Sequence, residues 1–192
     1  MGKAYYGCLS FGQGPMTSAA MPDAMTVRWK SLAGVGLILV LIYGLINFAA
    51  AIGVPTMLEK GGAAGGGNGG VMIGRAPEEF MLGTTYDKLA TQNPKLDKLL
   101  VDSMVGMCSQ MMVFAIAYLA IAWFAARRGQ RWAVWTLLVS GVAYIPYYFI
   151  IASDMAAFGA PDVMKAAWMV SAFAIPAVLG SILLFLGLRR SG

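Results

Sequence analysis

Four long apolar runs, at about residues 31–53, 103–126, 132–151 and 163–188, constrain this chain more than any other feature. A helix needs about 20 predominantly apolar residues to cross the hydrocarbon core of a bilayer. Each run meets that length and is flanked by polar or turn-forming residues. Apolar residues make up 59% of the chain and charged residues 12%, against about 45–50% and about 25% in soluble domains. So little polar surface cannot enclose a water-soluble core. The expected fold class is an all-α membrane protein, a four-transmembrane-helix bundle with an outer loop containing short helices. The spans use most of the 192 residues, leaving little for a separate soluble domain.

The formal charge of +5 does not gather into a patch on a polar domain, so nucleic acid is not an expected partner. The basic residues instead sit at the ends of apolar runs, where cytoplasmic flanks of spans retain positive charge. Arg28 and Lys30, then Arg127, Arg128 and Arg131, then Arg189 and Arg190, fall on one side. On the other side Glu59, Glu78, Glu79, Asp87, Asp97, Asp102, Asp154 and Asp162 nearly balance Lys60, Arg75, Lys88, Lys95, Lys98 and Lys165. This asymmetry predicts a multi-pass protein of the cell's inner (plasma) membrane with N-terminus and C-terminus both cytoplasmic and the lipid bilayer as its partner.

Residues 1–30 lack the apolar core of a cleaved signal peptide. They read as a disordered cytoplasmic tail, with the first span serving as an uncleaved anchor. Tyr6 stands where a myristoylation signal would carry Ser or Thr, and Gly7-Cys8 follows no apolar run, so neither lipid anchor is expected. Met16, Met21 and Met25 leave open a later start. Cys8 lies before the first span and Cys108 inside the second, which argues against a disulfide between them. With no histidine and no C-x-x-C, the familiar zinc, His-ligated haem and thiol-exchange motifs are missing, and no cofactor is expected.

Between the first two spans lies an outer segment, 54–102. Val54-Pro55-Thr56 is expected to end the first helix, and the tract from Gly61 to Gly70 reads as a flexible linker. Ala76-Pro77-Glu78-Glu79 and Thr84-x-x-Asp87 resemble helix starts, because proline and acids suit a first turn. Asn93-Pro94 begins a longer helix, in which Leu96, Leu99, Leu100, Met104 and Met107 lead at helical spacing into the second span. Gly129 can close that helix, Asp162 is placed to cap the fourth span, and residues 189–192 form a cytoplasmic end. Gly53-Val54-Pro55-Thr56 and Gly159-Ala160-Pro161-Asp162 suggest a faint repeat of outer turns.

Ionisable residues inside a membrane commonly mark ion paths. None lies near a span centre here, and Asp102 and Asp154 fall at the boundary, which disfavours a proton-driven pump or ion channel. The uncharged polar residues Asn47, Gln110, Tyr144, Tyr147 and Ser171 all fall in the outer half of the bilayer at about 1.5 Å rise per residue. Pro146 and Pro176 kink their helices at similar depth, taking hydrogen bonds from the carbonyls of Val142 and Ala172. Asn47, Gln110, Tyr144 and Tyr147 are therefore candidate ligand-binding residues of an outer pocket. The competing reading has them staple helices together.

Met104, Met107, Cys108 and Met111, followed by Met112, cluster soft sulfur ligands suited to Cu(I). Met107-x-x-x-Met111 resembles the pair in high-affinity copper-uptake transporters, although the span number differs and the outer loop lacks Met-rich repeats. Methionine is equally an adaptable core filler.

Trp123, Trp132 and Trp135 bracket a basic turn as an interfacial aromatic belt does. The stretch Ala122-Trp123-Phe124-Ala125-Ala126-Arg127-Arg128-Gly129-Gln130-Arg131-Trp132-Ala133-Val134-Trp135 resembles the inner hairpin of small uncharacterised prokaryotic four-span membrane proteins. That resemblance implies the topology already read from charge and brings no activity with it.

Three functional readings remain. The first is a non-catalytic interaction or accessory protein that presents segment 54–102 to a membrane-protein partner or a second copy. The alternative is binding or transport of a lipid or small apolar molecule through the outer pocket. The third is Cu(I) binding by the methionine cluster. An enzyme is not expected, because intramembrane hydrolysis needs a Ser–His pair, paired aspartates or a histidine metal site, and none is encoded.

Overall fold

The computed structural model describes residues 27–190. Of the disordered tail expected at residues 1–30, residues 1–26, with Cys8 and the alternative starts, lie outside them; residues 27–30 do not, and Val27 is buried, its N–H meeting the Arg127 carbonyl at 2.9 Å. Among the described residues the chain is helical without strands, and four helical stretches are long and apolar enough to cross a membrane: Leu32–Gly69, Pro94–Arg128, Arg131–Ala157 and Val163–Arg190. The protein is an all-α, four-helix, multi-pass membrane bundle.

The first stretch is α1 (Leu32–Gly61), which Ser31 opens by accepting the Gly34 N–H at 3.1 Å. Contrary to expectation, α1 does not end at Val54-Pro55-Thr56 but runs through Pro55. The Thr56 hydroxyl donates to the carbonyls of Ile52 and Gly53, at 2.6 and 3.1 Å. The Ala51 carbonyl, four residues before Pro55, is the one that the missing proline N–H leaves open. The suggested repeat therefore fails, since its first copy is helix and its second, around Gly159, is a turn.

The glycine tract is also a correction. Gly62–Gly69 forms 3₁₀ turns folded back onto the bundle, with Ala63 fully buried and its N–H bound to Asp97 Oδ1 at 3.0 Å. Small residues are needed there for fit, because a Cβ on Gly65 would overlap the Met57 carbonyl.

Two short helices follow, α2 (Arg75–Leu82) and α3 (Tyr86–Gln92). Ahead of α2 the backbone wraps around the Glu78 carboxylate. That group accepts the N–H groups of Val71, Met72, Ile73 and Gly74 at 2.5–2.9 Å, together with the Tyr86 hydroxyl. Gly70 enters the loop at φ 66°, a conformation that favours glycine. Burial, and Glu78 beside it, hold the Tyr86 phenol above its ordinary titration range. Arg75 ties the surface of this cap to Glu79 and Asp87, at 2.8 and 2.6 Å.

The cap bridges the bundle. Val71, Tyr86 and Leu89 pack with Ala63, Leu96, Leu100 and Met104 on the α1 side. Ile73 instead joins Ala152, Val163 and Ala167 across the bundle. The loop held by Glu78 thus spans both walls of this half of the bundle.

The helix expected from Asn93-Pro94 is α4 (Pro94–Ala120), with Asn93 Oδ1 accepting the Leu96 N–H at 3.2 Å. It widens into a π turn at Ile121–Ala125, tightens to 3₁₀ at Ala126–Arg128 and closes on Gly129 at φ 74°. The third span divides into α5 (Arg131–Val142) and α6 (Ile145–Ala157), and the fourth into α7 (Val163–Ala172) and α8 (Ile175–Arg190). The expected kinks fall at these points: the regular ladder lapses at residues 143–144 and 173–174 while Ala143, Tyr144 and Phe173 keep right-handed helical angles, with Pro146 and Pro176 in the first turns of α6 and α8. Asp162 precedes α7 but does not cap it with its side chain. Its backbone takes the left-handed conformation, φ 55°, rather than the extended one that an N-cap uses.

Helix α1 packs most extensively on α8 and α4, and α5 joins α8. Leu37, Val40, Tyr118, Leu137 and Leu184 form this inner core. Helices α6 and α7 pack mainly on each other, forming a separate cluster. The kinks at residues 143–144 and 173–174 mark where the second unit leaves the first.

Candidate functional site

The divergence of α6–α7 from α1–α4 leaves a cavity of about 720 Å³ in the half of the bundle nearer the cap. Its walls are Tyr43, Asn47 and Ala50 of α1, Met107, Gln110, Met111 and Phe114 of α4, and Ala143, Tyr144, Tyr147 and Tyr148 around the start of α6, with Val170 and Phe173 from the fourth span. All four candidate binding residues, Asn47, Gln110, Tyr144 and Tyr147, line it. Ser171 does not. Its hydroxyl donates to the Ala167 carbonyl of its own helix at 2.8 Å.

The floor is rigid and aromatic. Tyr43 donates its hydroxyl to the Gly141 carbonyl at 3.2 Å, joining α1 to α5, and its ring stands edge-on to Tyr118 with centroids 5.2 Å apart. One wall is fixed by Tyr144, whose hydroxyl donates to the Val170 carbonyl across the α6–α7 pair at 3.2 Å. Tyr147, Phe173 and Met107 are exposed at the rim, at 68%, 59% and 45%.

The polar groups divide by role. Asn47 donates to the Tyr43 carbonyl within α1 at 2.9 Å, and Tyr144 spans two helices, so both contribute to the frame. Gln110 and the hydroxyls of Tyr147 and Tyr148 make no hydrogen bond among the described residues. An amide exposed to hydrocarbon without a partner costs several kcal/mol. Gln110 is thus an exposed amide of the cavity wall with its hydrogen-bonding groups open to a ligand or water, whereas the buried hydroxyls without a partner, those of Tyr118 and Ser181, lie outside this lining.

No lining residue is charged. A charged group entering this space would lose its hydration without gaining a counter-charge. The space thus suits a neutral molecule, mostly apolar, with one or two uncharged hydrogen-bonding groups.

The sulfur cluster is divided. Met107 and Met111 line the cavity, Met104 packs beneath the cap, and Cys108 is a buried thiol. Sequence reasoning missed Tyr43, Phe114 and Tyr148 as lining residues. The signal was helical spacing: Tyr43 and Asn47, Gln110 and Phe114, and Tyr144 and Tyr148 each stand four apart, on one face. It also missed Glu78 as a buried centre. No family model, no curated protein and no solved structure matches the chain.

Proposed function

We propose that the protein is a non-catalytic carrier or receptor for a neutral lipid or similar small apolar molecule, held in the outer cavity. The observation that carries this reading is an uncharged, mainly apolar space of about 720 Å³, within the roughly 300–1,000 Å³ of ligand pockets. The expected interaction role of segment 54–102 is less well supported. Val71, Ile73, Tyr86 and Leu89 of that segment are buried against the bundle rather than offered to a partner.

The test is native mass spectrometry of the purified full chain. Gln110→Leu is expected to lower occupancy by co-purified neutral lipid about fivefold, the equivalent of one hydrogen bond of about 1 kcal/mol, with little change in melting temperature. Ala143→Trp, which places an indole in the cavity, is expected to remove that lipid. Full lipid retention in both variants would sink the reading. A melting loss in Gln110→Leu with lipid unchanged would mark the amide as a staple between helices.

We further propose that both termini are cytoplasmic and that the membrane is the cell's inner (plasma) membrane. Arg28, Lys30, Arg127, Arg128, Arg131, Arg189 and Arg190 gather at one end of the bundle, where the Val27 N–H meets the Arg127 carbonyl and the end of α8 packs beside the start of α1. A reporter fused after Arg190 is expected to behave as cytoplasmic and one inserted after Asn68 as external. The reverse pattern would overturn the orientation.

A further inference from the structure

We propose that the basic end of the bundle carries a second site, for the headgroup of an acidic phospholipid, formed by Trp123, Phe124, Arg127 and Arg128. These residues line a cavity of about 280 Å³, separate from the outer one. The π turn at Ile121–Ala125 and the 3₁₀ turn after it depart from regular α-helix just where the aromatic and basic side chains follow one another. Such π turns recur at functional positions in helices.

Arg127 is held in place before any ligand arrives. Its guanidinium lies 4.5 Å from the Trp123 ring centre and 5.7 Å from that of Trp29, and its carbonyl accepts the Val27 N–H at 2.9 Å. Contact with this pair of indoles, whose ring centres are 6.2 Å apart, restrains the planar fork on one side, so that less rotamer freedom is lost when it grips an oxyanion. Among the described residues neither Arg127 nor Arg128 has a carboxylate within ion-pair distance. Two cations therefore face one small cavity with their charge uncompensated, and a phosphate diester supplies the complementary charge and the paired oxygens that arginine binds.

The rest of the cavity favours a lipid over a free anion. Phe124 is 62% exposed and Trp123 42%, and bare phosphate gains nothing from either ring. An acyl chain leaving the headgroup would cover Phe124, while the indoles sit at the headgroup level that tryptophan prefers. Basic pockets at span ends recognise acidic lipids by this combination of charge and depth.

The experiment titrates the detergent-purified full chain with phosphatidylglycerol, phosphatidylcholine or inorganic phosphate and reads binding by native mass spectrometry. Phosphatidylglycerol is expected to bind more tightly than phosphatidylcholine. Arg127→Gln with Arg128→Gln is expected to weaken it about thirtyfold, roughly fivefold for each cation. Arg128→Gln alone, at an exposed side chain, is expected to cost about fivefold and keeps the test open if the double variant does not fold. Arg189→Gln with Arg190→Gln should leave binding within twofold. Equal loss in that control would show a diffuse basic surface rather than a site, and inorganic phosphate binding as tightly as phosphatidylglycerol would show a free-anion site. Unchanged binding in the Arg127 and Arg128 variants would also overturn the proposal.

Discussion

Glu78→Ala is expected to unfold the cap and lower the stability of the whole chain by on the order of 4 kcal/mol. The Glu78 side chain is 5% exposed, and its two oxygens accept four backbone N–H groups and the Tyr86 hydroxyl. Removing it orphans five donors at once. Each unsatisfied buried donor costs about 1–3 kcal/mol, with water entry sparing part of the sum. Glu78→Gln keeps one acceptor oxygen but turns an N–H₂ toward donors, and is expected to lose roughly half as much. Thermal unfolding in detergent measures both losses. Limited proteolysis locates them, because the tract from Gly61 to Gly74 is packed in the wild type and becomes cleavable once its loop is released. Wild-type resistance in Glu78→Ala would contradict the assignment of Glu78 as the centre of the cap. The change also reaches the proposed ligand, since Val71 and Ile73 leave the same loop toward opposite walls of the half that holds the cavity. Loss of co-purified lipid is therefore expected along with loss of the cap.

The fold was legible where the physics is one-dimensional. Span length and hydropathy depend on composition along the chain, and the Asn93 cap and the Gly129 closure depend on local geometry, so each could be read in place. The site was half legible. Asn47, Gln110, Tyr144 and Tyr147 stood out because a polar residue in an apolar run must face away from lipid or find a partner. Depth alone could not separate Ser171, which bonds to its own helix, from Gln110, which does not. The short helices of segment 54–102 were legible from their starts, but the glycine tract was misread because its contacts lie outside the local pattern. Ala63 meets Asp97 thirty-four positions away, and the residues before α2 are ordered by a carboxylate that follows them. A glycine-rich stretch looks the same in sequence whether its freedom is kept or is used to fit a close approach.

Gly36→Leu is expected to prevent stable assembly of the bundle, with a loss of about 3 kcal/mol or more in any fraction that folds. Between helices in a membrane there is no hydrophobic gain on association, so close packing and hydrogen bonds must hold them together, and small residues permit that approach. Helices α1 and α8 form the most extensive helix pair here. A Cβ on Gly36 would overlap the backbone of Leu184 and the Gly180 carbonyl. The obstacle is main chain rather than a flexible side-chain end, so rotamer changes cannot relieve it and the helices must separate. That places the penalty at or beyond the upper end of the roughly 1–3 kcal/mol usual for overpacking. Gly53→Leu is the control, because a Cβ there meets nothing within 4 Å, and its effect should stay within about 0.5 kcal/mol. The two variants add the same side chain to the same helix and differ only in what faces it, so equal melting temperatures would refute the packing argument. Displacement of α1 also draws Tyr43 away from the Gly141 carbonyl. Folded Gly36→Leu protein should accordingly retain less lipid than Gly53→Leu, because the floor of the cavity is fixed by the same helix contact that the leucine forces apart.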